Sequence, residues 1–205
     1  MTDSNQSRSI ILQKLKSRPA GKLPPQDAQV AESIQWSTPE LFAASIASNG
    51  ALITFESTEK DALLAIKRLC DDNDWQQPPV IAPALFPLAK HLKLWRRENH
   101  DPKPTGTVAV TEAYCGIADT GTLLCLSSAQ HPTGLNFLAE HHIVLLATKR
   151  LVASKLDALQ LLNREKQATP RALNMISGPS RTADIEQTIQ LGAHGPRSLT
   201  VILVG

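Results

Sequence analysis

Three short runs place polar side chains beside glycines; two follow a strand-like stretch and the third comes just before the last one. The first is GIADTGT, Gly116 to Thr122. Its glycines permit positive φ angles or the close approach of a ligand to the backbone. Asp119, with Thr120 and Thr122 beside it, is a candidate general base or nucleophile, or a partner for a substrate hydroxyl. Gly121 and Thr122 would border that ligand. The same residues also suit an Asx-type turn, in which Asp119 bonds its own backbone.

The second run is GPSRTADIE, Gly178 to Glu186. Read as a turn leading into a helix start, it exposes unpaired N–H groups at the positive end of a helix dipole. Gly178 allows close approach, Ser180 and Thr182 supply hydroxyls, and Arg181 supplies a fixed two-pronged cation. That combination would hold a carboxylate or phosphate. Ordinary capping by Ser180 or Thr182 explains the same residues, and the two readings are compatible. The run lacks GK[ST] and G-x-G-x-x-G, so it does not point to nucleotides. The third run is GAHGPRS, Gly192 to Ser198. His194 is a candidate acid or base, and Arg197 a second anion contact. A glycine-permitted turn between a helix and a strand is the plainer alternative.

Other reactive types are less suggestive. The adjacent His141 and His142 cannot face one way on a helix or strand, which argues against a two-histidine metal site. Cys115 adjoins the first glycine turn without a neighbouring cation to lower its pKa, and Cys125 lies in an apolar run. With only three cysteines, none in a C-x-x-C pair, no zinc or iron–sulfur signature is present and no metal ligands are expected. Trp36, Trp75 and Trp95 fall near element ends and read as packing residues.

The elements that must position these runs follow from periodicity and caps. A helix is expected over 5–17, then an extended connector to Gln35. Thr38-Pro39-Glu40 opens a helix that stops at Asn49-Gly50. A strand at 51–56, a helix at 58–71 with Thr58 and Asp61 at capping spacing, and a strand at 80–85 follow. Residues 86–95 have helical character. Strands at 107–113 and 122–128 are expected to pair as a hairpin across 114–121. A helix opened by Pro132 over 132–142, a strand at 143–148, a helix at 154–166 capped by Ser154 and Asp157, and strands at 173–177 and 199–204 complete the chain. Alternating strands and helices imply an α/β class with a mixed, mostly parallel sheet flanked by helices. The organisation expected is an N-terminal helix and connector, 1–35, before a single domain, 36–205.

Composition excludes several classes. Of 205 residues, 42% are apolar and 20% charged, with a formal net charge of +2. Disorder does not fit that apolar content, and no apolar run approaches the length of a membrane span. The balanced charge does not suit a general nucleic-acid or membrane-surface binder. The polar, amphipathic N-terminus lacks a signal-peptide pattern, so a reduced cytoplasm is the expected location. Ten of 14 prolines lie at or before Pro104, whereas eight of ten glycines lie at or after Gly106. The turn chemistry is therefore concentrated in the second half.

GIADTGT, ISGPSRTADIEQTIQLG and GAHGPRSLTVILV, in this order, resemble the lactate-utilisation protein C family, which carries the LUD domain. The likeness runs from about residue 40 to the C-terminus and is strongest over 107–205. The family's first run usually has glutamate where this chain has Asp119. The shorter acid keeps the charge but withdraws it by one methylene. The resemblance implies a fold like that of ribose-phosphate isomerases, glucosamine-phosphate deaminases and coenzyme A transferases. It implies a role in oxidising L-lactate to pyruvate beside two operon-encoded partner proteins. Iron–sulfur clusters are then expected in those partners, with no cofactor bound by this chain alone. Alternatives are an independent small-molecule enzyme of the same fold type, or a non-catalytic assembly or regulatory module contacting partners through helix 5–17.

Overall fold

A parallel strand buried on both faces needs a nearly continuous apolar run, and the chain has two, around 143–147 and 199–204, the second interrupted only by Thr200. In the computed structural model, which describes residues 8–10, 12–14, 33–75, 78–91, 107–165, 170–183, 189–192 and 194–205, both runs lie at the centre of a sheet. The chain divides into Met1–Glu32 and Ser33–Gly205. Within the first unit the described residues, 8–10 and 12–14, are helical. The remainder of the expected 5–17 helix, and the connector up to Glu32, lie outside the described residues.

The second unit opens with helix α1 (Pro39–Ser48). The Thr38 hydroxyl accepts the Leu41 N–H at 3.4 Å, Pro39 starts the helix, and Phe42 and Ile46 fall on its buried face. Strand β1 (Leu52–Glu56) leads to helix α2 (Glu59–Asp72), capped by Thr58 as its spacing to Asp61 predicts. Strand β2 is only Val80–Ile81. The expected strand to residue 85 is cut short because Pro83 opens a turn of 3₁₀ helix, Pro83–Leu85, followed by helix α3 (Phe86–His91). Residues 92–95 lie outside the described residues.

Strand β3 (Val108–Glu112) joins the parallel sheet, and here the hairpin expectation fails. Ala113 still donates to the Leu145 carbonyl, but Tyr114 donates to Leu124 of a second sheet. The chain changes sheets between these two residues. Strand β4 (Cys115–Ile117) then pairs antiparallel with β5 (Thr122–Leu126), so Asp119 sits in a tighter turn than expected. The helix expected over 132–142 is also absent. A 3₁₀ turn, Thr133–Asn136, is all that forms, and His141 already belongs to strand β6 (His141–Ala147). Pairing of β6 with its neighbours on both sides outweighs the helical pattern.

Strand β7 (Leu151–Val152) precedes helix α4 (Lys155–Arg164). Ser154 and Asp157 form the expected capping box, and Asp157 also accepts the Gln35 N–H at 2.9 Å. Strand β8 (Leu173–Ile176) pairs with β5. The helix start expected in GPSRTADIE is not observed: Arg181–Ala183 is strand β9, paired antiparallel with β10 (Ile189–Leu191). No helix dipole is aimed from Gly178–Thr182. Residues 184–188 lie outside the described residues. The last strand, β11 (Ser198–Val204), inserts between β1 and β6.

The result is α/β. The five-stranded sheet has order β1-β11-β6-β3-β2 with every pair parallel. A four-stranded, mostly antiparallel sheet has order β7-β4-β5-β8. Alternation along β6 sends Ile143 and Leu145 to the face packed by α2. Val144 and Leu146 go to the opposite face, where they meet α1 and the second sheet through Phe42, Ile46 and Leu123. His142 shares the parity of Val144 and Leu146, so its side chain belongs to this inner face.

Candidate functional site

The three glycine-flanked runs adjoin one another. Asp119 and Gly121 occupy the β4–β5 turn, with Gly121 at φ +57°. A Cβ there would drive into the backbone of Ser45 and Ile46 in α1, so only glycine lets the turn seat on that helix. Asn49, capping α1, donates from Nδ2 to the Thr120 carbonyl at 2.9 Å. The Thr122 hydroxyl lies 2.8 Å from the Ser177 hydroxyl, and a Cβ on Gly178 would meet the Asn49 carbonyl at 2.6 Å. The first run is thus linked to the second through Asn49 and Ser177.

The second and third runs interlock directly. Ser180 donates its N–H to Pro196 at 2.8 Å and accepts from the Gly192 N–H at 3.0 Å. Gly195 leaves room for the Ser180 side chain, which would lie 3.3 Å from a Cβ at that position. A pocket of about 230 Å³ opens here, lined by Ser177, Gly178, Ser180, His194, Gly195 and, from the sheet, His142. Leu199, Ile176 and Phe137 form apolar walls. His142 and Leu199 are register partners near the amino ends of β6 and β11, so the pocket opens at that end of the parallel strands.

Not every residue singled out from the sequence reaches this pocket. Asp119 is exposed, accepts a 3.1 Å hydrogen bond from the Thr120 hydroxyl, and does not line the pocket. Arg181 is exposed, and its guanidinium occupies the space over Gly50, just past the C-terminal end of α1. That position favours a cation, because helix carbonyls end there. Arg197 pairs with Glu140, Nη1 to Oε1 at 2.9 Å, and its stem fills the space beside Gly192. The Thr182 backbone lies in β9 opposite Gln190. Among the described residues the pocket wall therefore carries hydroxyls, imidazoles and the Asn136 amide, with no arginine or lysine.

His142, set aside with His141 as a metal-binding pair, lines the pocket. It is 1% exposed, its Nε2 lies 2.8 Å from the Thr111 hydroxyl, and its Nδ1 has no hydrogen-bond partner among the described residues. Burial pushes its pKa down to about 4, so the ring is neutral at pH 7. His141 points to the other face, where it stacks on Trp75 at 4.5 Å and bonds Ser198. The two histidines diverge, as adjacent strand residues must. A histidine in an otherwise apolar β-run was the available signal.

A second, broader cleft of about 1440 Å³ lies at the carboxyl ends of β3 and β6. None of the residues singled out from the sequence lines it. Tyr114, Arg150 and Glu165 form a cluster there. The Tyr114 hydroxyl donates to Glu165 at 2.7 Å, Arg150 pairs with the same carboxylate, and its guanidinium lies 4.3 Å from the Tyr114 ring centre. Burial and the Glu165 bond push the Tyr114 hydroxyl up to about 12. Such a phenol donates a hydrogen bond and does not ionise near neutral pH.

Cys70, Cys115 and Cys125 are free and buried. Burial lifts the Cys115 and Cys125 thiols to about 12, which makes them poor nucleophiles and metal ligands. Among the described residues no group of His, Cys, Asp and Glu could hold a metal ion, and no helix is long and apolar enough to cross a membrane.

Comparison with known proteins agrees with this architecture. The LUD domain family matches residues 39–204. An uncharacterised protein of Neisseria meningitidis serogroup B is 38% identical over 124 residues, covering 60% of this chain and 51% of that protein. Lactate utilization protein C of Anoxybacillus flavithermus is 29% identical over 108 residues, covering 53% and 48%. The chain spans about half the length of the curated relatives it matches. The crystal structure of a DUF162 family protein from Deinococcus radiodurans superposes with a TM-score of 0.58 at 22% identity, covering 81% of this chain and 95% of that one. The match over nearly all of Ser33–Gly205, on an α/β frame that carries the three glycine-flanked runs together, makes this chain a member of the LUD domain family.

Proposed function

We propose that this chain is a cytoplasmic accessory subunit of an L-lactate utilisation system, and that its glycine-lined pocket binds a short carboxylic acid bearing an oxygen on C2. Several relatives are named lactate utilization protein C, which supports the pathway. The observation that carries the binding reading is the meeting of Ser177, Ser180, His194 and the buried His142 around one small pocket. A volume of about 230 Å³ leaves room for a three-carbon acid such as lactate or pyruvate. In this reading the electrons from lactate pass to iron–sulfur partner proteins; the buried Cys115 and Cys125 thiols of this chain are poorly suited to ligating a cluster.

Reconstitution tests the proposal. Partner proteins from the same operon should oxidise L-lactate to pyruvate only when this chain is added. A full rate without it would refute an obligatory role.

The broad cleft at the carboxyl ends of β3 and β6 favours a second reading, an independent enzyme acting on a coenzyme A ester or sugar phosphate. In open α/β sheets ligands collect beyond the carboxyl ends of strands, and Lys149 and Arg171 line the cleft there beside the Tyr114–Arg150–Glu165 cluster. Unaided turnover by the purified chain, lost in Arg150→Ala, would support that reading over the first.

A further inference from the structure

An unpaired buried nitrogen carries a desolvation cost that a ligand hydrogen bond can relieve. His142 Nδ1 is such an atom among the described residues: it is itself covered, on a ring that borders the pocket, so a small shift of the pocket wall brings a ligand within its reach. The opposite nitrogen, Nε2, is held 2.8 Å from Thr111 Oγ1. Thr111 and His142 lie on neighbouring strands of the parallel sheet, so this pairing is set by the sheet itself. A threonine hydroxyl can donate or accept, and a neutral imidazole carries one N–H and one bare nitrogen.

We propose that His142, aligned by Thr111, reads the C2 oxygen of the bound acid and takes either a hydroxyl or a carbonyl there by reversing the direction of its hydrogen bonds. When Nε2 donates to Thr111, Nδ1 is bare and accepts from a 2-hydroxy acid. When Thr111 donates to Nε2, Nδ1 bears the proton and donates to a 2-oxo acid. The ring proton moves between nitrogens by exchange with water, so neither the charge nor the proton count of the pair changes. Ser177, Ser180 and His194 remain to face the carboxylate. A pocket built this way would hold both substrate and product of lactate oxidation and reject an acid without the C2 oxygen. This inference rests on the proposed function of the same pocket.

The test uses the full chain with ¹⁵N-labelled histidine. Calorimetry with L-lactate, pyruvate and propionate should show the first two binding about tenfold more tightly than the third, the worth of one hydrogen bond. In NMR spectra the Nδ1 signal of His142 should be of the bare-nitrogen type with lactate and of the protonated type with pyruvate. Thr111→Val, which removes the hydroxyl and keeps the shape, should narrow the preference over propionate. Equal affinity for all three acids, one tautomer in both complexes, or an undiminished preference in Thr111→Val would overturn the His142 assignment while leaving the pocket as an acid-binding site. If none of the three acids binds, the pocket reading falls with it.

Discussion

At the scale of single residues, burial decides what each polar group can do. His142 is held neutral by its surroundings, whereas an unfolded chain would protonate it near its ordinary value of 6.5. Between pH 6.5 and about 4 the unfolded state therefore binds the extra proton. The stabilisation is complete above pH 6.5 and is lost as pH falls toward 4. That difference corresponds to roughly 3 kcal/mol at about 1.4 kcal/mol per pH unit. Urea unfolding across this range should show the loss, and His142→Asn should flatten it. Gly121 makes a different demand. Replacing it with alanine forces a Cβ into α1 and strains a positive φ, so a loss of about 3 kcal/mol is expected in the same assay. The glycines were legible as special backbone positions because nothing else explains paired glycines around an acid. His142 was harder to read, because its hydrogen-bond partner Thr111 is 31 positions away on a neighbouring strand.

Elements were legible where local chemistry determines them. The caps at Thr38, Thr58 and Ser154 each begin a helix, since a hydroxyl facing backbone N–H groups needs no distant partner. Ser154→Ala should cost about 1 kcal/mol of stability. Asp157→Ala should cost more, because that carboxylate also holds the Gln35 N–H. Thermal unfolding of the two variants checks the order. Local reasoning failed where pairing decides. Residues 132–142 read as a helix opened by Pro132, but His141 and His142 are claimed by β3 on one side and β11 on the other. Arg181–Ala183 looks like the head of a helix and instead pairs with Ile189–Leu191. The change of sheet between Ala113 and Tyr114 leaves no local mark, because both sheets ask for the same apolar residues.

Across the whole molecule, the shift from proline to glycine along the chain corresponds to a division of labour. The first half supplies helices and edge strands, including α1, whose C-terminal end seats the glycine turns through Asn49 and Gly50. The second half supplies β6, β11 and the loops that form the pocket. The sequence pattern pointed to ligand loops after strands, and the fold instead brings these loops to the amino ends of β6 and β11. The carboxyl ends border the separate, larger cleft of Tyr114 and Arg150. Filling the small pocket separates the two. Gly195→Leu points a side chain toward Ser180 and should abolish acid binding, while Arg150→Ala should leave it intact. Growth of a strain lacking this gene on L-lactate as sole carbon source tests the pocket's role most directly. The wild-type chain should restore growth, and a folded Gly195→Leu variant should not, although both strains grow on pyruvate. Full growth on L-lactate with the filled pocket would contradict the proposed role of this site.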